Sequence, residues 1–236
     1  MMQHELIPPF SQEWWIYNLV TVILICAIIL FCKNLKKQHK NNITHILAGV
    51  FLCKFTYMQF YHYTNNLWSI QESLPIHLCS FMWFLSIYFF ITKKPWAFEM
   101  LLFIGMPGGI HSLLTPELTH GNTLIQKIDF FIGHGGLILA PFFGIYVLNM
   151  WPRKQAWIKS FLKLQFLVLI VALVNYMLNS NYMYLAHPPI ANNPLIPSDE
   201  SFFGQWPYYI LIFELAVLIH AFLINLPFLY KYRTSQ

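Results

Sequence analysis

The chain has 236 residues, 57% of them hydrophobic and 10% charged. Ordinary globular domains carry about 25% charged residues, so a soluble fold is a poor match. The formal net charge is +5. The loop pattern described below accounts for it without a nucleic-acid partner.

Seven apolar stretches fill the sequence, at roughly 14–32, 43–63, 76–92, 97–114, 129–150, 160–180 and 208–230. Each is long enough to cross a hydrocarbon core of about 30 Å as a helix. The pattern predicts one all-α, polytopic membrane domain with about seven transmembrane helices. The leader before the first span is acidic, and the span ends in a basic cluster, so residues 1–32 read as an anchor and not a cleavable signal. Lys54 and His62 lie in the second span. The third opens after Pro75 with His77 and Cys79, and Gly105, Pro107, Gly108 and Gly109 interrupt the fourth. The fifth carries Asp129 and His134, the latter inside a GHGG motif. The sixth ends with Asn175 and Asn179, and the seventh holds Glu214 and His220. The outer loop 181–207 has five prolines and reads as ordered and extended, not helical.

Of the 14 Lys and Arg residues, 11 fall after the first, third, fifth and seventh spans. The opposite loops hold Glu5, Glu13, Glu72, Glu117, Asp199 and Glu200, with Lys127 as the base among them. The bias puts the basic loops in the cytoplasm, the N-terminus outside and the C-terminus inside. Tryptophans 14, 15, 68, 96, 151, 157 and 206 fall at span boundaries, as interfacial belts do. Cys26, Cys32, Cys53 and Cys79 all lie in or beside apolar spans and read as free thiols. The partners implied are membrane lipids. The oligomeric state stays open.

Polar groups from six spans approach one layer near the outer surface. Such groups are costly in lipid, so they should face the bundle interior or a wet cavity. Two residues apart on a helix, His77 and Cys79 should point to nearly opposite faces. His134 matches Cys79 in depth, and a thiol beside an imidazole offers a nucleophile and a proton shuttle. The candidate catalytic residues are therefore Cys79, His134 and His77. Asn181, Tyr182, Tyr184, His111, Asn175 and Glu214 are candidate substrate-binding residues. Against this, a membrane cysteine is most often a small apolar residue. A structural ion pair with Lys54 is the plain explanation of Glu214. No HxxxH or CxxC spacing supports a metal site, and no cofactor is implied.

The segments LPIHLCSFMWFL (Leu74 to Leu85), FFIGHGGLILAP (Phe130 to Pro141), NYMYLAHPP (Asn181 to Pro189) and GQWPYY (Gly204 to Tyr209) occur in that order. Together they resemble the motifs of the YwaF-type bacterial integral membrane proteins, over nearly the whole chain. That family is in turn similar to eukaryotic transmembrane proteins that act as cysteine-dependent phospholipid acyltransferases. The resemblance implies a multi-pass protein of the bacterial cytoplasmic membrane with a lipid-directed Cys/His site. The cysteine of the eukaryotic proteins falls at Cys79 or at the position of Ile76. A lipid acyltransferase or hydrolase is one reading. A transporter or receptor-like protein without chemistry is the other, motivated by Lys54, Glu214 and the Gly-Pro interruption.

Overall fold

The structure, a computed structural model, describes residues 5–188 and 201–234, with side chains as far as 229. Asp199, Glu200, most of the loop's prolines and the last two residues lie outside it. The fold is all-α and polytopic. Six helices are long and apolar enough to cross a membrane: α1 (Gln12–Lys33), α2 (Lys37–Thr64), α4 (Pro95–Leu114), α5 (Leu124–Tyr146), α6 (Ala156–Leu178) and α7 (Tyr208–Thr234). The seventh, α3 (Leu78–Thr92), is apolar but has only 15 residues. A two-residue antiparallel pairing of β1 (Glu5–Leu6) with β2 (Glu117–Leu118) ties the N-terminal segment to the link after α4.

Local chemistry sets the helix ends. Ser11 caps α1 by accepting from the Trp14 amide, and Thr123 with Gln126 forms a capping box on α5. Pro95 occupies the first turn of α4, where its missing N–H costs nothing. Two carbonyls at the end of α4 are satisfied from α1. Trp14 Nε1 donates to Leu114 O at 3.1 Å, and Asn18 Nδ2 to Leu113 O at 3.1 Å. Trp14 is therefore buried, not part of an interfacial belt, whereas Trp15, Trp68, Trp96, Trp151 and Trp206 are exposed.

Helix α4 is the central post. Ala97, Phe98, Leu101 and Phe103 on it are fully buried, and it packs against α3, α5, α6 and α7. The glycine–proline interruption does not break it. Instead Leu101–Gly105 widens into a π turn, with the Met106 amide reaching back to Leu101 O, and the helix resumes at Met106. A π turn beside Pro107 absorbs the hydrogen bond that proline cannot make. At the end of the bundle with the basic loops, Glu99 is only 5% exposed and receives three bonds from Arg153: the backbone N at 2.9 Å, Nε at 2.8 Å and Nη2 at 2.7 Å. The clasp holds Arg153 protonated, raising its already high pKa.

Two boundaries differ from expectation. Helix α2 starts at Lys37, before the apolar run at 43, so its first turn carries Lys37, His39 and Lys40 of the basic cluster. At 28 residues it spans about 42 Å and outreaches the hydrocarbon core. Helix α5 starts at Leu124, which sinks Asp129 more than a turn below the helix end. For the topology, single-cysteine labelling should find position 236 reactive only from inside and position 11 from outside. The reverse pattern would reject the assigned orientation.

Candidate functional site

A cavity of about 500 Å³ lies among the helices, lined from every helix except α1 and bordered by Met183, Tyr184 and Leu185 of the 181–188 segment. On one wall, Cys79 sits in the first turn of α3 with its Sγ 3.9 Å from Ser112 Oγ of α4. His77 precedes the helix as its N-cap, with ψ 149°. Its direction is thus not set by helical periodicity, and both His77 and Cys79 line the cavity rather than opposite faces. His77 Nδ1 accepts from the Met183 amide at 3.3 Å.

The second wall is charged. Lys54 Nζ is 2.6 Å from Asp129 Oδ1 and 4.6 Å from the Trp83 ring centroid. The structural partner of Lys54 is therefore Asp129, not Glu214, and Glu214 accepts from Gln165 Nε2. Above the pair, His62 and His120 stack with centroids 4.1 Å apart. His134 on α5 has Nδ1 2.8 Å from Phe130 O. A carbonyl only accepts, so Nδ1 carries the proton and Nε2 is the bare nitrogen. Among the described residues no carboxylate bonds to this imidazole, and Cys79 and His134 share the cavity without a hydrogen bond between them.

The glycines of the GHGG motif are filled by neighbours. A β-carbon on Gly133 would lie 3.1 Å from Lys54 Nζ, one on Gly135 2.6 Å from Thr21, and one on Gly136 2.5 Å from Trp83. Across the seam, a β-carbon on Gly109 of α4 would lie 2.9 Å from the His134 carbonyl. Gly109→Ala must therefore push α4 off α5. A loss of about 1–3 kcal/mol, read as a lower Tm in detergent, is expected. An unchanged Tm would mean that the two helices can part freely.

The third wall joins α4 to α7. His111 Nε2 lies 3.1 Å from His220 Nε2, and His220 Nδ1 lies 2.6 Å from Ala216 O. His220 of the seventh span thus meets His111 of the fourth. A signal existed: positions 210, 213, 214, 217 and 220 share one face of α7, and all five line the cavity.

Of the expected binding residues, Tyr184, His111 and Glu214 line the cavity, while Asn175, Asn181 and Tyr182 do not. Asn175 Oδ1 accepts from Ser180 Oγ at 2.9 Å and the Tyr182 amide at 2.8 Å, and its Nδ2 donates to Tyr182 O. Asn181 folds its own loop, binding His187 and Ala186. Tyr182 is fully buried. Its hydroxyl donates to Ile70 O at 2.6 Å and accepts from the Leu74 amide at 3.0 Å. These three pin the segment that carries Tyr184. Tyr182→Phe leaves a carbonyl and an amide unpaired, so a cost of about 1–3 kcal/mol is expected in thermal unfolding. A Phe variant as stable as the parent would show the loop held by other contacts.

Tyr184 adopts a left-handed backbone, φ 54°, and its carbonyl accepts from Tyr209 Oη at 2.6 Å. Burial first, then Glu117 and Cys79 nearby, hold its phenol above the usual pKa, so it stays a hydrogen-bond donor. Among the described residues no group of three or more His, Cys, Asp or Glu is arranged to hold a metal ion.

No curated protein and no solved structure matches the chain. The TMEM164 family model matches residues 9–225, a stretch holding all seven helices but the end of α7, and every cavity residue named above. This agrees with the membrane-family resemblance at that level, without the narrower bacterial grouping. The protein, a multi-pass membrane protein, belongs to the TMEM164 family.

Proposed function

We propose that this protein is a lipid acyl-transfer enzyme, an acyltransferase or hydrolase, with Cys79 as nucleophile. One observation carries the reading. A thiol, several histidines, a neutral phenol and the paired charges of Lys54 and Asp129 line one intramembrane cavity that also has apolar wall residues, among them Phe103, Leu137, Leu164 and Val217. An acyl chain fits such walls while its ester stays among the polar groups.

In the first half-reaction the Cys79 sulfur attacks the ester carbonyl of a donor lipid. The C–S bond forms and the C–O bond breaks. The thiol proton passes through a cavity histidine to the departing oxygen. In the second, an acceptor hydroxyl attacks the thioester, His134 Nε2 takes its proton and passes it to the sulfur, and the thiol is restored. Water as acceptor makes the enzyme a hydrolase. The Ser112 hydroxyl, 3.9 Å from the sulfur, and the Tyr184 phenol are the donors offered to the developing oxyanion.

The test is lipid profiling of a deletion strain complemented with wild type, Cys79→Ala or His134→Ala. Both variants should reproduce the deletion profile. Profiles that match wild type in both would remove this mechanism. A transporter reading draws on the π turn of α4 and on Glu214 within α7. It requires loss of function in Glu214→Gln with Cys79→Ala still active.

A further inference from the structure

We infer that His111 is the base that takes the proton of the Cys79 thiol, and that His220 is the residue that positions it. The inference rests on the acyl-transfer reading and adds the base for its first half-reaction.

Two residues of α4 reach Cys79. Ser112 Oγ is 3.9 Å from its sulfur, and a β-carbon on Gly108 would lie 4.0 Å from it. Positions 108, 111 and 112 are one helical turn apart and share a face. His111 is therefore on the side of α4 that faces the thiol, and its ring borders the cavity. His77 and His134 are less well placed. His77 has Nδ1 engaged by the Met183 amide. His134 projects from α5, whose contact with this face of α4 is through its own carbonyl at Gly109.

The hydrogen bonds fix the tautomers. His220 Nδ1 must donate to Ala216 O, so its Nε2 is bare. His111 Nε2, 3.1 Å away, must then carry the proton and donate to it. This leaves the lone pair of His111 on Nδ1, which makes no hydrogen bond among the described residues. The rings meet nearly edge to face, at 78°. A base, oriented by a second group that is itself anchored to a backbone carbonyl, is the arrangement that nucleophilic catalysis requires. The proton moves from Cys79 Sγ to His111 Nδ1. The imidazolium keeps its Nε2–H on His220, and the Nδ1 proton then goes to the departing oxygen. The other ionisable groups facing this space are Glu214 on α7, Asp129 and His134 on α5, Lys54 and His62 on α2, and Glu72, His77, Glu117, His120 and Tyr184 between the helices. Lys54 and Asp129 neutralise one another.

The experiment measures thiol reactivity, not turnover. Cys26, Cys32 and Cys53 are replaced by Ala, and the purified protein in detergent is alkylated with iodoacetamide between about pH 6 and 10. Intact mass gives the rate. His111→Ala should slow alkylation of Cys79 at neutral pH about tenfold and move its midpoint up by about one unit. His111→Gln, which keeps a donor to His220 but lacks the base, should do the same while preserving the helix contact. His220→Leu should reproduce part of the effect. His220→Gln, whose amide oxygen accepts where Nε2 did, should restore the parent profile. His134→Ala should leave alkylation unchanged. A profile unmoved in both His111 variants, or moved by His134→Ala instead, overturns the role of His111 and leaves Cys79 chemistry standing. A Cys79 inert at every pH in the folded protein, yet alkylated normally after unfolding, overturns the acyl-transfer reading with it.

Discussion

Replacing Asp129 with Asn is expected to destabilise the protein by about 2–4 kcal/mol and lower its Tm in detergent accordingly. The reason is the ammonium left behind. Lys54 and Asp129 are 2.6 Å apart, with side chains only 23% and 25% exposed, and that exposure is to the cavity. A charge inside the bundle without its counter-ion is the costly case, far more so than an absent pair. The aromatic face of Trp83 softens the loss, because it holds Lys54 by a cation–π contact and is itself fixed by Nε1 donating to Phe51 O at 3.1 Å. Lys54→Met alone should be costly in the same way, through the stranded carboxylate. The double variant Lys54→Met/Asp129→Asn should recover most of the loss. A double-mutant cycle with no coupling would show that the two charges do not depend on each other.

Arg153→Ala should be the next most damaging change, at about 2–3 kcal/mol. Arg153 itself is 61% exposed, and an exposed arginine is usually dispensable. Its partner is not exposed. Glu99 lies in the first turns of the central helix, 5% exposed, and Arg153 Nε and Nη2 grip its two oxygens as a fork. The backbone bond from the Arg153 amide would survive the substitution, which keeps the cost below that of a wholly orphaned carboxylate. Arg153→Lys should recover only part of the stability, because an ammonium cannot bind both oxygens in plane. Arg153→Ala/Glu99→Gln should be more stable than Arg153→Ala alone. Equal stability of Arg153→Ala and the parent would mean that water replaces the guanidinium.

The spans were legible because length and apolar composition fix them directly, and the short links leave the helices little choice of neighbour. The start of α2 was not, since Lys37 to Asn42 is polar yet helix-competent once it stands clear of the lipid. Partners were harder than elements. Asp129 read as a span terminus, which left Glu214 as the deep carboxylate and the natural mate of Lys54. Helix α5 starting at Leu124 moves Asp129 inward and changes the pairing. The same dependence on helix ends governed His77 and Cys79: a capping residue with extended ψ escapes the 100° rule that a helical pair obeys. The polar signature NYMY pointed to a site, but Asn181 and Tyr182 serve the loop, and of its polar residues Tyr184 reaches the cavity, beside Met183. A buried tyrosine that ties two loops and one that faces a substrate carry the same letter.

The most direct measurement is a search for the acyl-enzyme. Purified protein, incubated with an extract of its own membrane lipids and quenched in acid, is read by intact mass and by peptide mapping around Cys79. The predicted result is a mass increase equal to one acyl group on the Cys79 peptide, removed by neutral hydroxylamine and absent from Cys79→Ala. Its yield should rise in His134→Ala, where the thioester forms but the acceptor hydroxyl lacks its base. Lipid turnover that continues in Cys79→Ala, or acylation found on another residue and not on Cys79, would contradict the account.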